Sequence, residues 1–455
     1  MALLPGTTPL AGTSTSETRR VVWNLAWPVI LALVSESLVG LVDMFMVARL
    51  GASAVAAVGV GGQIMGAVTV TMMAIGTGTV ALVARSVGAG TLDEAHETLG
   101  QSILAASTLG IVAVIPVLLW AEPFVQAFGV APEVTAEATV YVRAVMLAIA
   151  PSSVLFVIGS ALRGAGDTRT PLAIGLVVNS VNVFANWVLI FGHLGFPALG
   201  VLGSALATAL SFTLGAVLLS ILLAGGRLRL HVERRHLVPD FTIIRRIFRI
   251  GYPAAIEQFL MQVGFLVYLV FAARYGTDAV AAYFIGVRIL ALAFLPGFGF
   301  AAAASTLVGQ HLGAGEPEQA ERAGWMSAWM SVCLMSTVGV VVFLLAEPIA
   351  RLLVDEVGVI AGTASFIYML GIAQPFMAID FTLGGALRGA GDTRFPLWTM
   401  LVAFYAVRLG LSALAVFVFD LSLPWLWSAL IADYVVRAAL KTWRFRGAHW
   451  RSIEV

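Results

Sequence analysis

Two carboxylates, Glu36 and Asp43, stand seven residues apart in an otherwise apolar stretch, and that spacing puts them on one face of a helix. Three amides, Asn179, Asn182 and Asn186, recur at i, i+3 and i+7 in a second apolar stretch and likewise share a face. A charge held in hydrocarbon costs about 3 kcal/mol or more, so each such group needs a partner or a task. A carboxyl facing amides can hold a proton, or coordinate Na⁺ through oxygen atoms alone. Asp43 is therefore the candidate coupling residue and the candidate Na⁺ ligand, with Glu36, Asn179, Asn182 and Asn186 beside it. The alternative for each is an interhelical hydrogen bond that only holds helices together.

A second polar set comprises Glu257, Gln258, Gln262, Arg288, Asp380 and Arg408. Either Glu257 or Asp380 faces a cavity and attracts a cation, or the two acids and two arginines neutralise one another. Gln63, Met65, Met261 and Tyr268 complete the candidate cavity residues, because flexible thioethers suit varied ligands. Asp433 and Arg437 have the i, i+4 spacing of a local ion pair. No soluble catalytic constellation accompanies them. The six histidines are scattered, Cys333 is the single cysteine, and no HExxH, GxSxG or Walker A pattern occurs. The expectation is a non-enzyme without a cofactor.

The elements that position these groups follow from composition. Sixty per cent of residues are hydrophobic and 11% are charged, against about 25% charged in a soluble domain. Long apolar runs recur, and they predict twelve membrane spans at 22–47, 54–84, 98–120, 138–160, 171–192, 200–224, 247–272, 280–308, 323–345, 361–386, 396–419 and 424–443. The fold class is an all-α integral membrane protein. The chain also repeats itself: GSALRGAGDTRTPL at 159–172 returns as GGALRGAGDTRFPL at 384–397, an offset of 225 residues. The same offset aligns Gly88-Ala89-Gly90 with Gly313-Ala314-Gly315, and Ala121-Glu122-Pro123 with Ala346-Glu347-Pro348. Six spans per half place the halves in the same orientation, as two parallel six-helix lobes. The expected division is a disordered tail at 1–18, a first lobe at 19–224, a basic linker at 225–246, a second lobe at 247–445 and a tail at 446–455.

Basic residues gather on one set of loops, among them Arg19, Arg20, Arg163, Arg227, Arg229, Arg234, Arg235, Arg388 and Arg444. The opposite set holds Arg49, Arg143, Arg274 and Arg351. The positive-inside rule then places both termini in the cytoplasm. It also explains the arginines without nucleic acid as a partner. The duplicated loop reads as structural: its glycines suit a turn, Asp167 and Asp392 can cap the following helix, and Arg163 and Arg388 can neutralise a helix C-terminus or contact lipid phosphate.

Broken symmetry singles out the first polar cluster. The 225-residue partners of Asp43, Asn182 and Asn186 are Tyr268, Val407 and Leu411. Taken with Leu-Arg-Gly-Ala-Gly-Asp-Thr-Arg after spans four and ten, Gly-Ala-Gly after spans two and eight, Val42-Asp43 in span one and the Asn182–Asn186 segment, the chain resembles the multidrug and toxic compound extrusion (MATE) family over residues 19–445. The resemblance implies a secondary antiporter in a bacterial (inner) cell membrane. It would export a small organic, often cationic, compound in exchange for H⁺ or Na⁺ by alternating access, and it is expected to be a monomer in the lipid bilayer. Asp43 matches the family's first-span aspartate and Asn182 the polar residue beside it. Asn186 stands where many members carry aspartate. Met261 and Met377 stand where one branch carries acids, with Glu257 and Asp380 one turn away, and these departures tilt the reading toward proton coupling. The competing reading is a lipid-linked precursor flippase of the same superfamily, for which Arg288 and Arg408 would supply a cationic cavity.

Overall fold

A computed structural model describes residues 15–453. Among them, twelve helices are long and apolar enough to cross a membrane. In chain order they are α1 Thr15–Ala48, α2 Ala52–Ala89, α3 Leu92–Leu119, α4 Pro132–Gly164, α5 Arg169–Phe191, α6 Val201–Ala224, α7 Phe241–Ala273, α8 Thr277–Gly313, α9 Pro317–Leu344, α10 Val357–Gly389, α11 Arg394–Val418 and α12 Leu423–Arg446. All twelve expected spans are present. Several helices run one or two turns past the apolar stretch, because backbone hydrogen bonding continues wherever no breaker intervenes.

The repeat is visible in the backbone. Helix starts in the two halves keep the 225-residue offset closely from α1/α7 to α5/α11. The Ala-Glu-Pro landmarks form matching short helices, Ala121–Gln126 and Ala346–Leu353. Three glycine pairs at the same offset hold positive φ: Gly51 and Gly276, Gly90 and Gly315, Gly166 and Gly391. An L side chain would be strained at each. The other glycines of the duplicated loop are helical and serve packing instead. A Cβ on Gly164 would lie 2.9 Å from the Val80 carbonyl oxygen, and one on Gly389 would lie 2.1 Å from that of Ser305.

The chain forms two compact units, and they are not the lobes expected from the spans. One unit holds residues up to Ile30, Gly88–Gly90 and Pro253–Val455; the other holds Leu31–Val87 and Thr91–Tyr252. Where the expected divisions fall at 18/19 and 246/247, the units divide at Ile30/Leu31 within α1 and at Tyr252/Pro253 within α7. Each crossing lies beside an internal proline, Pro28 or Pro253, which are repeat partners. A proline lacks the N–H for the ladder and weakens the helix there. In the first unit, Val22, Leu25 and Ala26 of α1 pack with Phe300, Ala303 and Leu307 of α8. In the second, a Cβ on Gly78 would meet the Ile247 carbonyl oxygen at 2.2 Å, so α7 lies directly on α2. The linker belongs to the second unit and contains a short 3₁₀ turn, Arg234–Leu237.

Neither end of the described chain is a loose tail. Thr15–Thr18 is the first turn of α1, and residues 1–14 of the expected tail lie outside the described residues. At the other end, Ala448–Ser452 forms a 3₁₀ turn. The buried Trp450 there donates to the Phe445 carbonyl at 2.7 Å and stacks on that ring at 4.6 Å. Large apolar side chains such as Trp329, Leu344 and Trp443 are more than 60% exposed, a pattern that suits a lipid surface.

Close backbone approach makes one glycine test specific. A Cβ on Gly251 would lie 1.7 Å from the Ala74 carbonyl oxygen, whereas one on Gly59 has nothing within 4 Å. Gly251→Ala is expected to destabilise the protein by about 1–3 kcal/mol through overpacking. Gly59→Ala should be neutral or slightly stabilising. Thermal unfolding of the two variants in nanodiscs checks the contrast.

Candidate functional site

The first polar cluster assembles on three helices of one unit. Asp43 of α1 accepts from Asn186 Nδ2 of α5 at 2.7 Å. Asn186 Nδ2 also reaches Asn182 Oδ1 at 3.0 Å, and Asn182 Nδ2 donates to Ser211 Oγ of α6 at 3.2 Å. Ser211 in turn donates to the Ala207 carbonyl at 2.5 Å. Asn186 is fully buried and Asn182 is 7% exposed, while Asp43 is half-buried. One turn or more away, Asn179 Nδ2 donates to Ser35 Oγ at 2.9 Å, a second tie between α5 and α1. Glu36 is exposed and takes no part in these bonds.

The Asn182 amide admits two orientations, which exchange its oxygen and nitrogen. In one, its Oδ1 faces the Asp43 carboxyl; after rotation, its nitrogen stands 3.1 and 3.0 Å from the two Asp43 oxygens and its oxygen 3.2 Å from Ser211 Oγ. The rotated position supplies a donor to an ionised carboxylate. It also leaves the two asparagine nitrogens 3.0 Å apart, a donor–donor contact that Asn186 avoids in the first position. The first position places an oxygen against carboxyl oxygens, which is favourable once the carboxyl carries a proton to donate.

The second polar set resolves into ion pairs within the other unit, and the partners differ from those expected. Glu257 lies 2.9 Å from Arg388 of the duplicated loop, so Arg388 meets a carboxylate rather than lipid phosphate. Asp380 lies 2.5 Å from Lys441. Arg408 lies 2.9 Å from Asp433, which also takes Arg437 at 2.6 Å in the expected local pair. Arg408 is 1% exposed and sits between the rings of Phe404, Tyr434, Tyr268 and Phe265, at 4.7, 5.4, 5.7 and 5.9 Å. It cannot line an open cavity. Tyr268 is also withdrawn: it is 1% exposed and donates to the Leu426 carbonyl at 2.7 Å. Burial among α7, α11 and α12 is what removes both from the candidate lining.

Of the remaining candidates, Gln63, Gln262 and Arg288 are exposed, and Met65, Gln258 and Met261 are half-buried. Met65 and Met261 pack against apolar core clusters. The loop aspartates cap as expected. Asp167 accepts from the backbone N–H groups of Arg169 and Thr170, at 3.1 and 2.9 Å. Asp392 accepts from that of Phe395 at 3.4 Å and pairs with Arg444 at 2.8 Å. Arg163 donates to Ser160 Oγ at 2.8 Å. Sequence reasoning missed Ser35, Ser211 and Lys441. A serine in a span ordinarily bonds its own helix, and nothing in the spacing distinguishes one that faces a neighbour. Among the described residues no group of three or more His, Cys, Asp or Glu side chains is arranged to hold a metal ion.

The geometry of a doubled six-helix unit has a counterpart among known proteins. The MatE family model matches residues 28–188 and again residues 253–414. The chain belongs to the MatE family. A relative from Thermotoga maritima, called probable multidrug resistance protein NorM, is 31% identical across 95% of this chain and 93% of its own. A protein of the same description from Burkholderia pseudomallei is 30% identical, covering 93% and 91%. In fold, the solved structure of a MOP superfamily transporter from Pyrococcus furiosus superposes with a TM-score of 0.87 at 21% identity, over 96% of this chain and 97% of that one. This MatE chain is accordingly a multi-pass membrane protein.

For the MatE unit that holds Pro253–Val455, the buried pairs make a stability prediction. Asp433→Asn leaves the Arg408 and Arg437 guanidiniums without their shared carboxylate. Breaking a buried pair in this way costs about 3–5 kcal/mol. The folded yield and thermal midpoint of Asp433→Asn are expected to fall sharply, whereas Arg288→Gln, at an exposed position, should leave both near wild type.

Proposed function

We propose that the protein is a secondary antiporter, not an enzyme, that exports small organic compounds, cationic ones among them, in exchange for protons. The single observation that carries this reading is the Asp43 cluster. A carboxyl lies in an apolar helix with only neutral partners, Asn186, Asn182 and, through them, Ser211. Glu257, Asp380 and Asp433, by contrast, each have a cationic partner. An acid paired with a cation stays ionised, whereas one among amides can load and release a proton. The multidrug resistance designation of relatives matched over nearly their whole length supports efflux as the task.

In this mechanism the ionised Asp43 draws the rotated Asn182 amide and attracts a cation. Protonation removes that charge and turns Asn182 back, so that Asp43 donates to its oxygen. The change alters the tie between α1, α5 and α6, and alternating access uses it to make substrate and proton binding mutually exclusive. Coupling by Na⁺ would need several oxygens on the ion, but Asn186 directs a nitrogen at Asp43. The positive-inside rule supports cytoplasmic termini in a bacterial cell membrane, and each unit carries its own apolar core, in keeping with a monomer. The flippase reading loses Arg408, which is buried against Asp433, and retains only the exposed Arg288.

The test is efflux of a fluorescent organic cation from proteoliposomes under an imposed pH gradient, without Na⁺. Wild type should show gradient-driven efflux. Asp43→Asn should reduce it by about two orders of magnitude, the effect expected when the only proton carrier is lost, while incorporation and unfolding temperature stay unchanged. Efflux retained by Asp43→Asn would remove Asp43 from coupling. Movement that requires a Na⁺ gradient would replace the proton as the coupling ion.

A further inference from the structure

Three of the six histidines meet where the chain leaves α6 and approaches α7. His96, in the first turns of α3, lies with its ring centroid 3.7 Å from that of His231 and 6.1 Å from that of His236. The two linker rings are 6.4 Å apart. His96 and His236 are 4% and 5% exposed. The Arg229 main chain lies beside the His96 ring.

The role of His236 is more specific. Its Nδ1 accepts from the Glu233 backbone N–H at 3.2 Å, and the Glu233 side chain accepts from the His236 backbone in return. This reciprocal cap holds the 3₁₀ turn Arg234–Leu237. It requires Nδ1 to be without a proton, since an imidazolium has two donors and no acceptor. A proton on Nδ1 therefore removes this acceptor. The neighbouring His96 and His231 rings are in contact, with centroids 3.7 Å apart and planes tilted by 48°.

Every surrounding charge has a place in the balance. From the linker, Glu233 lies 3.6 Å from His231 and 2.8 Å from Arg235, and Arg234 is in the same turn. Arg229 donates to the Ala165 carbonyl at 3.2 Å. From α3, Asp93 acts on His96, and Glu94 pairs with Arg246 of α7 at 3.2 Å. The following stretch is fastened without titrating groups. Gln101 of α3 donates to the His236 and Val238 carbonyls at 2.9 and 2.6 Å and accepts from the Asp240 backbone at 2.9 Å. Asp240, at the entry to α7, has its carboxyl held below the usual range chiefly by the Thr242 backbone N–H.

We propose that residues 229–236 form a proton-released clasp: neutral His236 closes the turn on α3, and acidification of that face opens it while Gln101 keeps 238–240 in place. The clasp lies in the covalent connection between the two six-helix halves, so opening it lengthens the free chain between them. A cell that imports protons through an antiporter acidifies this face, and the clasp senses the product of that flow. This last link rests on the proton-antiport reading; the clasp itself rests on the local geometry alone.

Hydrogen–deuterium exchange of the full-length protein in nanodiscs at pH 7.5 and 5.5, corrected for intrinsic exchange chemistry, tests it. In wild type, amide exchange in 229–236 should rise about tenfold at the lower pH while 238–240 changes little, as local opening predicts. His236→Asn, whose Oδ1 replaces the accepting nitrogen but does not titrate, should stay slow at both pH values. Glu233→Ala, which removes the other half of the cap, should already exchange at pH 7.5 as wild type does at pH 5.5. A wild-type segment that does not respond, a response shared equally by 238–240, or a response retained in His236→Asn would overturn the proposal. Should His236→Asn not fold, a Glu233→Ala variant that remains slow at pH 7.5 would overturn it equally.

Discussion

Every polar group placed in hydrocarbon must be matched there, and the rest of this structure follows from that constraint. It makes the backbone helical from end to end of each span. It also makes the glycines meaningful: Gly78, Gly251, Gly385 and Gly389 let one helix lie directly on the carbonyls of another, an approach that lipid does not otherwise drive. It dictates that embedded charges come in pairs. Glu257, Asp380 and Asp433 obey with Arg388, Lys441 and Arg408. Asp43 is matched by amides alone.

That difference divides two copies of one ancestral arrangement. The same three helices of each half build a polar centre: α1, α5 and α6 in the first, α7, α11 and α12 in the second. Where the first has Asp43, the second has Tyr268; beside the place of Asn182 it has Arg408. The second centre contains its own counter-charges, and aromatic rings surround Arg408. Its ions are satisfied whatever happens outside. The first centre holds no counter-charge of its own: Asn186 and Asn182 are neutral. The π-helical stretches Leu401–Leu409 and Leu414–Val418 of α11 have no counterpart in α5, which is a regular α-helix. Wider helical turns frequently accompany functional sites, and here one carries Arg408.

The exchange of helix halves has a similar physical origin. α1 and α7 each begin packed in one unit and continue in the other, with Pro28 and Pro253 beside the crossings. Hydropathy sees each as one uninterrupted span. A proline adds a local weakness without ending the helix, because the residues on both sides still find apolar neighbours. The lobe boundaries drawn between spans are therefore reasonable for the chain but not for its packing.

The twelve spans, the 225-residue repeat and the turns at Gly166 and Gly391 are legible in the residue order alone, because each depends on local composition or identity at a fixed spacing. The spacing also puts Glu36 and Asp43 on one face of their helix and the three asparagines on one face of theirs, since a helix fixes those angles. Which faces meet emerges only when the helices are packed. Asn186 and Asn182 reach Asp43 and Ser211, while Glu36, on the same helix as Asp43, stays exposed. Arg408 and Tyr268, equally plausible as cavity residues from their types, are buried with Asp433 and the Leu426 carbonyl. Periodicity gives the direction of a side chain around its own helix, but the partner that satisfies it lies on another helix whose rotation and depth no local pattern encodes.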